Sequence, residues 1–227
     1  MYRGHAQPES WIACCLGRGE LAPLTHDDVE ELSEILDERF HPAGALLSKV
    51  GEKPARVHVV RRGRVELTRL IGRRRVVVQV LHSGDVFGDV PLLVRTTELF
   101  DARALEDAVV LSADSVSFFQ LLQTRPRVAQ RWLVSLASRM AATQARLVDL
   151  LAGDLESRVA VLLTREAEGA LVRLPQALLA DLLGARRTSV NRVLKRLEAR
   201  GAVRLDYGQV EIIDPAELAA ARHKVAI

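Results

Sequence analysis

The sequence predicts an α+β protein with a β-rich first lobe, a long central helix and a C-terminal winged helix-turn-helix. Three observations carry this expectation. Short strand-type runs punctuated by glycines fill residues 40–112. A single helical stripe continues from Pro126 to Ala152. Residues 175–201 then break at Gly184 into two short amphipathic helices, the second of them basic. A chain of 227 residues is long enough for one or two domains, each burying its own core.

Composition narrows the class. Hydrophobic residues make up 48% and charged residues 27%, the balance of a globular chain and not of a disordered one. No apolar run approaches the ~20 residues that span a bilayer. The opening Met1-Tyr-Arg-Gly-His has no apolar stretch of the secretory kind. The expectation is a cytoplasmic protein with no membrane partner. Two cysteines exclude a disulfide scaffold. The net charge of +3 says little about partners, but its distribution says more. Between Gly184 and Arg204 stand Arg186, Arg187, Arg192, Lys195, Arg196, Arg200 and Arg204 against a single acid, Glu198. Such a local excess is a candidate phosphate-binding face, although a charge run is more often a solvated helix face.

Along the chain, Val29, Leu32, Ile35 and Leu36 recur at helical spacing, and Thr25 followed by Asp28 marks a helix start. Strand-type runs then follow at Phe40–Ser48, Val57–Leu67, Arg75–Leu81 and Ala102–Ser112, with glycines at 44, 51, 63, 72, 84 and 88 as turns. Short strands at near-regular spacing predict a small antiparallel barrel or roll. Asp114 opens a further helix, and Pro126 fits the first turn of the long one, where its missing N–H costs nothing. Val128, Trp132, Leu136, Met140, Leu147 and Leu151 recur at intervals of three, four or seven, flanked by Leu133, Ala137 and Gln144. Over its full span this helix is ~40 Å long. A stripe of this length is expected to pair with its twin, with Val128, Trp132, Leu136, Met140 and Leu147 at the interface of a homodimer.

In the last third, a helix over 155–167 and a short β stretch at 170–174 precede the helix pair. Leu178, Leu179, Leu182 and Leu183 face inward from the first helix, and Val190, Val193, Leu194 and Leu197 from the second. Two such helices joined at a glycine form a helix-turn-helix. Its second helix, starting near Arg187, would present Arg186, Arg187, Thr188, Ser189, Asn191, Arg192 and Lys195 to double-stranded DNA, with arginines on guanine edges and the others on bases or phosphates. Strands at 202–206 and 209–213 around Tyr207-Gly208 supply the wing.

These features resemble the CRP/FNR family of transcription regulators. The resemblance rests on Pro42 with Gly44, Gly63 in Arg-Gly-Arg-Val, Gly84-Asp-Val-Phe-Gly-Asp, the long helix, and the spacing of Arg187, Val190 and Arg192. It implies a cyclic-nucleotide-binding-type antiparallel β-roll over residues 1–125, a dimerisation helix over 126–152 and a winged helix-turn-helix over 153–227. It also implies a palindromic DNA site, and RNA polymerase as a further partner. Where the family's reading helix carries Arg-Glu-x-x-x-Arg, this chain has Thr188 in the glutamate position. An acceptor for cytosine N4 is thereby lost, so the base read there should differ.

The effector pocket departs further. Members that bind cyclic nucleotides use a Gly-Glu on the ribose and an Arg-Ser/Thr-Ala on the phosphate. Here Gly88-Asp89 is one methylene shorter, and Arg95-Thr96-Thr97 resembles the phosphate grip but lies upstream of the usual register. Aligned instead on Ala102-Arg103-Ala104, the arginine position falls on Glu98, an anion facing an anion. Gly88, Asp89, Arg95, Thr96 and Thr97 therefore form an atypical candidate pocket, expected not to answer to cAMP in the usual way. Either cAMP or another small effector stays open as its ligand. Cys14 and Cys15 are too few for an iron–sulfur cluster, which leaves redox sensing or simple burial. The scattered histidines show no metal-ligand spacing, and no catalytic motif is present, so neither a metal nor an enzymatic activity is expected. The reading is a homodimeric, sequence-specific transcription regulator. The alternative is a cyclic-nucleotide-binding signalling module whose C-terminal domain docks a protein.

Overall fold

A computed structural model describes residues 25–72, 74–152 and 154–222. It contains α1 (His26–Glu34), β1 (Asp37–His41), β2 (Leu46–Ser48), β3 (Arg56–Arg62), β4 (Val65–Ile71), β5 (Arg74–Leu81), β6 (Val86–Phe87) and α2 (Asp89–Leu93). Next come β7 (Asp101–Ala104), β8 (Ala108–Asp114), α3 (Ser115–Thr124), α4 (Pro126–Ala152) and α5 (Leu155–Glu166). The chain closes with β9 (Leu171–Val172), α6 (Gln176–Leu182), α7 (Arg187–Ala199), β10 (Val203–Asp206), β11 (Gln209–Ile212) and α8 (Pro215–Arg222). It divides into two compact units; one cut falls inside α4 between Arg139 and Met140, and the start of β5, up to Val77, is counted with the second unit.

In the first unit two four-stranded sheets form the roll, ordered β1-β8-β3-β6 and β2-β7-β4-β5. The pairings β1·β8, β3·β8, β3·β6, β2·β7 and β4·β7 are antiparallel, as the glycine-punctuated runs predict. Alternation along β3 and β8 sends side chains to two separate cores. Val60, Ala108 and Val110 join Val65, Leu81, Phe87, Ala102 and Ala104 inside the roll. Val57, Val59, Leu111 and Ala113 face the other way and pack with Leu32, Phe118, Leu121, Val128 and Trp132 of the helices. Because both faces of this sheet are covered, Val57–Val60 is buried at every position.

Local chemistry fixes the element ends. Thr25 and Asp28 form a capping box at α1. Asp114 caps α3 through the N–H groups of Val116 and Ser117, and Asp154 caps α5 through Ser157. At Gly63, between β3 and β4, φ is +77° and an added Cβ would lie 2.4 Å from the Asp107 carbonyl oxygen. Only glycine fits there. The short α2 and the terminal α8 have no counterpart in the sequence reading. α2 is barely one turn long, and α8 starts at Pro215 with Asp214 as its cap.

The second unit holds α5, α6 and α7 with the three-stranded sheet β10-β11-β9. Val159, Ala160 and Leu163 of α5, Leu179 of α6, Val190, Leu194 and Leu197 of α7 and Leu218 of α8 are almost completely buried.

Candidate nucleic-acid interface

Two glycine-ended helices aim α7. At the end of α6 the N–H of Gly184 donates to Asp181 and that of Ala185 to Ala180, with Gly184 at φ +60°. This is a Schellman motif, and it turns the chain sharply into α7. The end of α7 repeats the device. Gly201, at φ +76°, donates to Glu198, and Ala202 donates to Leu197 before β10 begins. Both ends of α7 are thus fixed in direction, while Val190, Val193, Leu194 and Leu197 anchor its inner face.

At 100° per residue, Thr188, Asn191, Arg192 and Lys195 share the opposite face, and all four are exposed. Arg186 and Arg187 are exposed at its start, where no side chain caps the first turn, and Ser189 is half-buried at the edge of this face. The uncapped N–H groups and the positive end of the helix dipole lie beside these arginines.

The structure sorts the basic residues that the sequence could only count. Arg200 donates to Glu156 at 2.8 Å and to Glu217 at 3.1 Å, while Arg196 reaches Glu156 at 3.3 Å. These two arginines tie α7 to α5 and α8. Arg204 pairs across the hairpin with Glu211 at 2.8 Å. Lys195 is held by Glu198 at 2.8 Å. Arg186, Arg187 and Arg192 have no acidic partner among the described residues. Beside them, the β10–β11 hairpin turns at Tyr207-Gly208, and the Tyr207 ring is fully exposed.

The candidate effector residues do not converge in the same way. Gly88, at φ +80°, is pressed against β3, where a Cβ would lie 2.6 Å from the Arg56 carbonyl oxygen. Asp89 is only 1% exposed and its carboxylate is fully engaged. Trp132 Nε1 donates to it at 2.9 Å, the Val90 N–H at 2.9 Å, and both terminal nitrogens of Arg139 bind its two oxygens. Two residues of α4 therefore occupy a carboxylate expected to face a ligand. Arg95, Thr96 and Thr97 are exposed after α2. Arg95 sits at φ +55° because it closes a Schellman turn, with Arg95 N–H on Leu92 and Thr96 N–H on Pro91. Glu98 is buried, and its backbone pairs with Gly51 and Glu52. Burial, with Glu52 nearby, pushes its carboxyl up to about 7. Close by in the roll, His58 stacks on Phe87 at 4.6 Å and its Nδ1 meets Ser112 Oγ at 2.8 Å. Burial and then Arg56 hold His58 down at about 3, so it is a neutral core residue.

The apolar stripe on α4 divides between two faces. Val128 and Trp132 are 1% and 4% exposed and lie in their own unit's core, where Trp132 meets Phe118 edge-on at 4.8 Å. Leu136 packs against the same core. Val128 and Trp132 are thus taken up within one protomer, and Leu136 is half-buried. Leu133, Met140 and Leu147, spaced by seven, are exposed, as is Val148, with Ala137 and Gln144 exposed between them. Leu133 and Met140 are 65% and 62% exposed. Cys14 and Cys15 lie outside the described residues. No group of three or more histidine, cysteine or acidic side chains among the described residues could hold a metal, and no described helix is long and apolar enough to cross a membrane.

Comparison with known proteins agrees with this architecture. Residues 38–125 match the cyclic nucleotide-binding domain, and residues 127–221 match the Crp-like helix-turn-helix domain. The chain is 42% identical over 205 residues to the HTH-type transcriptional regulator Cmr of Mycobacterium tuberculosis, covering 90% of this chain and 84% of that protein. It is 29% identical to the cyclic AMP receptor protein of Thermus thermophilus, covering 87% and 95% respectively. In fold it is similar to FixK2 from Bradyrhizobium japonicum, with a TM-score of 0.76 at 20% identity over 85% of this chain and all of that one. With a β-roll, a long helix and a winged helix-turn-helix in the same order, the chain belongs to the CRP/FNR family of transcription regulators.

Proposed function

We propose that the protein is a cytoplasmic homodimer that reads a two-fold DNA site through α7 and does not take cAMP as its effector in the usual way. The carrying observation is the exposed face of α7, where Arg186, Arg187 and Arg192 stand without acidic partners among the described residues, beside Thr188, Asn191 and Lys195. Arg187 and Arg192 read base edges, Arg186 and Ser189 hold phosphates, and Lys195 stands beside them engaged by Glu198. The wing's Tyr207 lies against the backbone of the duplex. The exposed seven-residue seam Leu133–Met140–Leu147 pairs two copies of α4. Two α7 helices then meet half-sites one turn apart, roughly 34–36 Å. In working terms the roll spans residues 1–125, the seam 126–152 and the reading domain 153–227.

Two observations favour the altered effector response. The Asp89 carboxylate is already bound by Trp132 and Arg139, and Glu98, buried at the position of the grip's arginine, supplies no cation for a cyclic phosphate. The test is selection of a preferred duplex from a random pool, followed by affinity at one fixed salt with and without cAMP. The expected results are a palindromic site and an affinity that cAMP leaves unchanged. A tenfold shift, about 1.4 kcal/mol of coupling, would overturn the effector reading. Failure to enrich any duplex would overturn the DNA reading.

A further inference from the structure

We propose that Glu198 fixes the wing to the reading helix and holds Lys195 back from phosphate, and so sets the ratio of specific to nonspecific DNA binding. The proposal rests on the DNA-reading role of α7. Glu198 is the single acid of the basic segment, and it stands one turn after Lys195 on α7. Its two carboxylate oxygens are divided between two tasks. Oε2 accepts from the Lys195 ammonium at 2.8 Å, and Oε1 accepts from the backbone N–H of Leu205 at 3.0 Å.

The second bond bears on geometry. Leu205 lies on β10, the edge of the sheet β10-β11-β9, and an edge strand presents N–H groups that no neighbouring strand takes. Glu198 takes one of them, and so joins α7 by a side chain to the strand that leads to Tyr207. The wing's distance from the reading helix is therefore set at a second point, beyond the Gly201 turn. The first bond bears on charge. The Lys195 hydrogen bond, followed by that of Leu205, holds the Glu198 carboxyl below its usual range, so it stays ionised at neutral pH and keeps the lysine paired. A lysine paired within its own protein makes a weaker phosphate contact. A phosphate contact is worth the same on every sequence, so weakening it lowers nonspecific binding in particular.

Two variants separate the two tasks. Glu198→Gln keeps a carbonyl oxygen for Leu205 but loses the charge that holds Lys195. Glu198→Ala loses both. Relative to wild type, E198Q should bind a scrambled duplex more tightly, by up to about fivefold per protomer, since an exposed ion pair is weak. Its salt dependence should steepen by about 0.9 per protomer, the signature of one further phosphate contact. Adding Lys195→Met to E198Q should abolish both changes, which a merely structural role for Glu198 would not predict. E198A should in addition lose hydrogen-exchange protection at the Leu205 amide and lose preference for the selected site, whereas E198Q keeps both. If E198Q leaves the scrambled-duplex affinity and salt slope at wild-type values, the withholding of Lys195 is refuted. If E198A keeps Leu205 protected and its site preference intact, the strut is refuted. Both failures leave the DNA reading standing, because wild type still binds its selected duplex. Only a wild-type protein that binds no duplex brings the two down together.

Discussion

Arg139→Met should destabilise the first unit by about 2–3 kcal/mol. The magnitude follows from what the substitution leaves behind. Asp89 is 1% exposed and keeps its bonds from Trp132 and Val90, but it loses the guanidinium that neutralises it. Stripping one partner from a buried ion pair costs about 3–5 kcal/mol, because the remaining charge has neither water nor counter-ion. Arg139 is itself 29% exposed, so part of the original attraction was already screened, which lowers the figure. The bond from Arg139 Nη1 to the Val86 carbonyl, 3.0 Å long, is lost as well. Asp89→Asn should cost less, about 1–2 kcal/mol, since it removes the buried charge and lets the half-exposed arginine turn to solvent. The double variant should then be more stable than the sum of the single changes by at least about 1 kcal/mol. Urea unfolding followed by tryptophan fluorescence measures all three. An R139M protein within about 0.5 kcal/mol of wild type, or a cycle with no coupling, would refute the account of this network.

Three further outcomes follow from the geometry. With its folded pKa near 7 against an ordinary 4.5, Glu98 keeps its proton in the native state over a range where the unfolded chain has lost it. Stability therefore falls as pH rises from about 4.5 to about 7 and is flat on either side in respect of this group. Glu98→Gln removes that slope, so urea unfolding at pH 5 and pH 8 should show the variant gaining on wild type at the higher pH. Parallel profiles would contradict it. Leu133→Asp places a charge at the first position of the exposed seam while sparing the core, and it should give monomers by sedimentation with loss of tight site binding. Trp132→Phe, by contrast, should leave the oligomeric state untouched and lower stability through the lost bond to Asp89, by about 1.5–3 kcal/mol.

Much of this architecture was legible in the sequence because local chemistry and global fold agree. The span Pro126–Ala152 was readable to both ends, since proline marks its first turn and its apolar spacing never breaks. The helix pair around Gly184 was equally readable, because a left-handed helix end leaves a glycine where periodicity changes. The division of α4 between a core side and an exposed apolar side was not. Its apolar residues cover a wide arc, and the core side (Val128, Trp132) lies only about 100° around the helix from the exposed side (Leu133, Met140). Residue types do not separate two adjacent apolar faces; packing does. The same holds for charge. Arg192 and Arg196 look alike in a sequence four residues apart, yet Glu156, forty residues upstream, takes only the second. The partners of Asp89, Trp132 and Arg139, are remote in sequence and carry no local mark.

The central claim is that the arginines without acidic partners on α7 read DNA while the tied ones hold the helix in place, and a paired affinity measurement tests it most directly. Arg192→Ala and Arg196→Ala would each be titrated against the selected duplex and a scrambled one at a single salt concentration. The account predicts that R192A loses about 1–3 kcal/mol on the selected site and relaxes preference at one base position. R196A should stay within about 0.5 kcal/mol on that site, because Arg200 still holds Glu156. Equal losses from both variants on both duplexes would contradict the claim, leaving α7 as a general basic surface and not a reading helix.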